Sequence, residues 1–131
     1  VHLLGAGRGP VAVDRVVDRL RDWDGPVLLD TPAGASSAVA TPLRAADRAL
    51  VVAGATRQSL ADAAKTVAMA RTLSVPIAGG VLTRSAGRVD PTPVLDAPTL
   101  GHVPESEAPL RDRAVREAYQ RVLAGLDGRN V

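Results

Sequence analysis

Val27-Leu28-Leu29-Asp30-Thr31-Pro32-Ala33-Gly34 runs from an apolar stretch to an acid, and from there to a proline and a glycine. The apolar stretch reads as a buried strand, with Asp30 closing its C-terminal end. An acid so placed suits a magnesium ion, usually held through water, beside a phosphate chain. Gly34 has no side chain to keep its backbone N–H away from a γ-phosphate. Pro32 stiffens the turn between them. The same residues also read as Asp30 capping the next turn and Gly34 serving backbone geometry alone, and the string by itself leaves both readings open.

Downstream, Thr31 to Ser37 is a loop of small residues, followed by a short helix to about Ala46. Ala49 to Ala53 is the next strand. Ser59 reads as the N-cap of a helix whose apolar side carries Leu60, Ala63, Ala64, Val67, Ala68, Ala70 and Leu73. Pro76 to Leu82 is a strand, Gly87 to Ala97 a polar loop without period, and Pro98 to Val103 a last short strand. A final helix runs from about Ala108 to Leu126 and ends at Gly128. Upstream, Val1 to Leu4 reads as a strand entering a loop with Gly5, Gly7 and Gly9. Pro10 then opens a helix with Val13, Val16, Val17 and Leu20 on one face, stopped by Gly25-Pro26.

This alternation with short connections predicts an α/β domain: a mostly parallel sheet with helices on both faces. Ligands of such sheets sit beyond the C-terminal strand ends. That rule selects Asp30 to Gly34, Gly54 to Arg57, Thr83-Arg84 and Pro104-Glu105.

Composition narrows the function classes. The 131 residues are 46% hydrophobic, and nearly all of that is Ala, Val and Leu, as suits buried parallel strands. There is no cysteine, so disulfides and thiolate metal sites are excluded, and a reducing, cytoplasmic location is the expectation. The net charge of +2 and the near absence of aromatic residues give no direct nucleic-acid signal. No apolar run approaches the ~20 residues that span a bilayer, so no membrane segment is expected. The chain opens on Val1 inside an apolar run and is read as part of a longer protein.

Leu28 to Gly34 (LLDTPAG), then Asp47-Arg48-Ala49-Leu50-Val51-Val52 and Ser59-Leu60-Ala61-Asp62-Ala63, together resemble the MinD/ParA family of P-loop ATPases. Pro76 to Arg84 (PIAGGVLTR) resembles that family's strand ending in Asn-Arg or Asn-Lys. Leu100 to Glu105 (LGHVPE) resembles its LGVIPED segment, and the last helix resembles its final helix. The resemblance covers nearly the whole chain and rests on the order and spacing of these segments. It implies that residues 1–131 are a partial, P-loop NTPase-like nucleotide-binding domain, an ATP hydrolase when complete. Asp30 would be the acid that holds Mg through water, and Asp30, Thr31, Pro32 and Gly34 the switch that senses the γ-phosphate of ATP. Thr83 and Arg84 would lie at the adenine, with Pro104 and Glu105 in the loop beside it. The implied partners are a nucleotide, a second copy in a nucleotide-dependent homodimer, and an unidentified protein.

Two departures bear on these implications. Thr83 replaces the family's Asn, and a hydroxyl does not make the bidentate pair an amide makes. No G-x-x-x-x-G-K-[ST] occurs in the sequence, and Gly5-Ala6-Gly7-Arg8-Gly9 lacks the following Lys-Ser/Thr. The chain is therefore expected to start after the phosphate loop and to be inactive by itself. The strand at Asp30 and the strand around Val51 would then pair directly or leave a gap. The alternative is a non-catalytic α/β partner-binding module that has lost nucleotide. A third reading is an amidotransferase or synthetase of the cobyrinate or dethiobiotin type.

The remaining candidates read blandly. Lys65, the sole lysine, sits on a solvated helix face, and His2 and His102 have no acid or nucleophile at useful spacing. Asp14 and Asp18 with Arg15, Arg19 and Arg21 are helix-face charges. Arg57 follows a strand end, where it would meet a phosphate or a partner. In the last helix, Leu110, Ala114, Ala118, Val122 and Leu126 form a stripe suited to docking on the sheet.

Overall fold

The structure is a computed structural model that describes residues 10–20, 22–87 and 89–127. The expected strand at Val1 to Leu4, the glycine loop, His2 and Arg21 lie outside the described residues, as do the side chains of Val13 and Asp14. In chain order the elements are α1 (Pro10–Leu20), α2 (Ser37–Ala45), β1 (Ala49–Gly54), α3 (Arg57–Thr72), β2 (Ile77–Thr83), α4 (Thr92–Leu95), β3 (Thr99–Val103) and α5 (Arg113–Asp127). The three strands pair in the order β1-β2-β3, all parallel, as the short α/β connections required.

Each strand alternates its side chains between the two faces of the sheet. Val51, Ala53 and Leu82 point toward α3 and α4, where they meet Ala63, Val67, Leu95 and Ala97. Val81 and Val103 point the other way and pack against Val115, Ala118 and Val122 of α5. Both faces thus carry helices, and each fully buried Val or Leu contributes about 1.5–3 kcal/mol. A third cluster joins α2 to the sheet through Val39, Leu43, Ala49, Ala70 and Val75. Two glycines permit the close layers. A Cβ on Gly80 would fall on Leu95 Cδ1, and one on Gly101 would lie 2.8 Å from Val122 Cγ2.

Helix ends explain where the sequence reading slips. Thr56, not Ser59, is the N-cap of α3: its backbone is extended, and its Oγ1 accepts the Ser59 N–H at 3.2 Å. Ser59 instead accepts the Gly54 N–H at 2.7 Å, tying the end of β1 to the first turn of α3. At the other end of α3, Ser74 takes a left-handed φ of 59°. Its N–H bonds Arg71 O and that of Val75 bonds Ala70 O, a Schellman closure. α5 starts at Arg113 rather than near Ala108, because Asp112 caps it through the Ala114 N–H at 2.8 Å. Leu110 consequently stands 90% exposed and Ala114 is exposed, so the stripe facing the sheet is Val115, Ala118 and Val122, with Leu126 packed against it as expected. The expected loop at Gly87 to Ala97 contains α4, whose Leu95 is fully buried.

The largest correction concerns residues 27–29. Val27, Leu28 and Leu29 form no strand, and Leu28 is 91% exposed. Strand formation needs a ladder partner as well as apolar side chains, and among the described residues no strand lies beside either these residues or the outer edge of β1. Of the two expected arrangements, direct pairing with β1 does not occur. No helix among the described residues is long and apolar enough to cross a membrane.

Candidate functional site

The C-terminal ends of β2 and β3 open onto a shallow depression of about 210 Å3. Thr83 and Arg84 reach it from β2, and Pro104, Glu105 and Ser106 from the segment after β3. α5 closes it with Val115 and Tyr119. Four residues singled out from sequence therefore meet in one place: Thr83, Arg84, Pro104 and Glu105. Tyr119 and Ser106 were missed.

Local bonding fixes the shape of this edge. The Thr83 hydroxyl donates to Ala53 O at 3.3 Å, so it is engaged by β1. Arg84 turns into the left-handed region at φ 50°, unusual for a side-chain-bearing residue. Its guanidinium reaches back over the end of β1, with Nη2 3.8 Å from where a Cβ on Gly54 would stand. The next residue, Ser85, is buried, and its N–H donates to Val103 O at 3.1 Å. Its hydroxyl accepts the Gly87 N–H at 3.3 Å and pairs with His102 Nδ1 at 3.1 Å. His102 thus has a hydroxyl partner that sequence spacing did not reveal. Because Ser85 is only 4% exposed, the pair ties the loop after β2 to β3 rather than meeting substrate.

The loop after β3 is pinned at its far end. Asp112 titrates below its ordinary value of 3.8, chiefly through a hydrogen bond with the Ser106 side chain and then through the Ala114 N–H it caps. The carboxylate therefore holds both the loop that carries Glu105 and the start of the helix that carries Tyr119.

The other half of the expected site lies elsewhere. Asp30 and Pro32 are exposed, Thr31 and Gly34 half-buried, in a segment without strand or helix from 24 to 36. Gly34 has φ 105°, open only to glycine without strain. Its N–H donates to Thr66 Oγ1 at 3.1 Å, and the same hydroxyl lies 3.1 Å from Gly34 O, to which it donates. Thr66 belongs to α3, on the face opposite α5, so the structure does not bring Asp30 to Gly34 into the depression.

These placements decide what the residues fit. The depression offers proline and tyrosine surface with a polar rim, over the buried Val103 and Val115. The phosphate and magnesium end is not assembled among the described residues. The Gly34 N–H is occupied by Thr66, and no group of three or more His, Cys, Asp or Glu residues is placed to hold a metal ion among the described residues.

Among the other expected candidates, Lys65 pairs with Asp62 at 2.8 Å on an exposed face, and Arg57 is exposed in the first turn of α3.

No family model matches the chain, and no curated protein matches it. Solved structures do. The chain is similar to the Pyrococcus horikoshii septum site-determining protein MinD complexed with Mg-ADP (TM-score 0.75, 19% identity, 91% of this chain and 57% of that one). It is similar to the cell division ATPase MinD of Pyrococcus furiosus (TM-score 0.74, 21% identity, 92% and 59%). It is likewise similar to the MinD cell division protein of Aquifex aeolicus (TM-score 0.72, 20% identity, 98% and 65%). The fold is MinD-like, and the chain spans between 57% and 65% of the length of these structures.

Proposed function

We propose that residues 1–131 are the base-binding and switch-bearing portion of a MinD-like, cytoplasmic ATPase domain. In this reading the depression takes the base of ATP, and residues outside 1–131 supply the phosphate loop. Asp30 would hold Mg through water, with Thr31, Pro32 and Gly34 sensing the γ-phosphate once the phosphate end is assembled. Hydrolysis would then switch the complete protein between dimeric or partner-bound states. The observation that carries the reading is the convergence of Thr83, Arg84, Pro104 and Glu105 at the C-terminal edge of a MinD-like sheet.

What this chain's own residues do is limited to binding and orientation. The depression shelters one face of a ring, and the Asp112–Ser106 bond keeps the loop bearing Glu105 in place beside it. Bound nucleotide would supply the phosphoryl chemistry, and residues 1–131 alone are expected not to turn it over.

One pair of observations favours a second reading, a partner-binding module that has lost nucleotide. The Gly34 N–H and the Thr83 hydroxyl both have protein partners already. The two readings separate in a chain carrying a phosphate loop ahead of residues 1–131. Mg-ATP turnover is expected there, and Asp30→Ala should lower kcat by about 100-fold or more, as loss of a charge-stabilising group does. Turnover unaffected by Asp30→Ala would refute the role given to Asp30, and no ATP binding at all would favour the second reading.

A further inference from the structure

The chain holds one tyrosine, one tryptophan and no phenylalanine. The tyrosine stands on the depression, 49% exposed, one helical turn after Val115. Val115 is 2% exposed and belongs to the core under α5. Side chains four apart on a helix lie one above the other, so the buried residue sets the ring beside the opening. Pro104 and Pro109 add further apolar surface to the same depression.

The polar side chains that β2 brings to the depression are not placed to read a base edge. The Thr83 hydroxyl is donated to Ala53 O. The Arg84 guanidinium lies over Gly54, at the end of the neighbouring strand. Neither offers an amide-like donor and acceptor pair to a base edge. A half-exposed aromatic ring beside prolines does offer a stacking surface, and stacking is tolerant because every base has a π-face.

Resting on the nucleotide-binding reading above, we propose that Tyr119 is the stacking residue of the base end. The site then holds a purine mainly by its face, with Glu105 the rim side chain left to meet its edge.

The test uses the 131-residue chain, with adenosine, guanosine and ribose 5-phosphate as probes and backbone amide shifts as the readout. Tyr119→Phe keeps the ring, whereas Tyr119→Leu keeps apolar bulk without it, and thermal melts verify that both fold. Both nucleosides should shift the amides of Thr83, Arg84 and Glu105, whereas ribose 5-phosphate should not. Tyr119→Phe should bind as the parent does, and Tyr119→Leu should bind about tenfold more weakly, as loss of base stacking does. Nucleoside binding at the depression that ignores Tyr119→Leu would overturn the stacking role while leaving the nucleotide-binding reading intact. No amide shift with either nucleoside would overturn both.

Discussion

Replacing Gly80 by alanine puts a methyl group where Leu95 Cδ1 already lies, because β2 and α4 meet there without a gap. Leu95 is fully buried among Val51, Ala53, Ala63, Val67 and Leu82, so it must shift inside the packed core to make room. Overpacking of this kind costs about 1–3 kcal/mol. Removing a glycine from the unfolded chain returns about 0.4–1 kcal/mol, so Gly80→Ala alone should destabilise by about 1–2 kcal/mol. Leu95→Ala, at a site with no exposed surface, should cost about 3–5 kcal/mol through lost burial and a cavity. The two changes are not independent. With Leu95 truncated, the methyl group introduced by Gly80→Ala enters the vacated space, and that substitution becomes neutral or mildly stabilising. The double variant should therefore be no less stable than Leu95→Ala, a coupling of about 1–3 kcal/mol. Urea unfolding followed by circular dichroism measures all four corners of the cycle. Additivity to within about 0.5 kcal/mol would refute the packing of α4 on Gly80, and with it the closure of that face of the sheet.

Two further outcomes follow from single bonds. The Asp112 carboxyl lies below 3.8 in the folded chain because Ser106 and the Ala114 N–H favour its charged form. Its stabilisation of α5 is therefore fully present above the unfolded value near 3.8 and is lost as pH falls through the folded value. A carboxyl carbon titration of Asp112 by NMR should show a midpoint below 3.8, and a midpoint at or above it would contradict the cap. Thr66→Val keeps the shape of the side chain but removes the hydroxyl that grips Gly34. Exchange of the Gly34 amide should speed up about tenfold or more, as loss of a hydrogen bond worth about 1 kcal/mol or somewhat more does, while amides in β2 are unchanged. Unchanged protection at Gly34 would show that Thr66 does not hold it.

The strands at 49–54, 77–83 and 99–103 were legible because helices lie on both faces of the sheet, which favours continuous apolar runs even where, as at Val52, the edge strand is exposed on one side. Val27-Leu28-Leu29 has the same composition and is not a strand, since composition carries no information about whether a neighbour is present to pair with it. Helix starts shifted for a similar reason. Ser59 and Thr56 are both good capping residues, and the choice fell on the one whose backbone is extended. The four strand-end residues of the depression were legible because the architecture itself selects the residues after each strand. Tyr119 was not, because it reaches the site from a helix whose register depends on the Asp112 cap. Nor was the Gly34–Thr66 bond, which joins residues 32 apart across a loop with no periodicity.

Central to this account is a divided site, with a base end built on this chain and a phosphate end that it does not assemble. Titration calorimetry of residues 1–131 with adenosine and with Mg-ADP compares the two ends directly. If the phosphates find no organised partners, the two ligands should bind within about threefold of each other, a difference under about 0.7 kcal/mol. Mg-ADP binding about thirtyfold or more tightly than adenosine would contradict the divided site, and failure of both ligands to bind would contradict the base end.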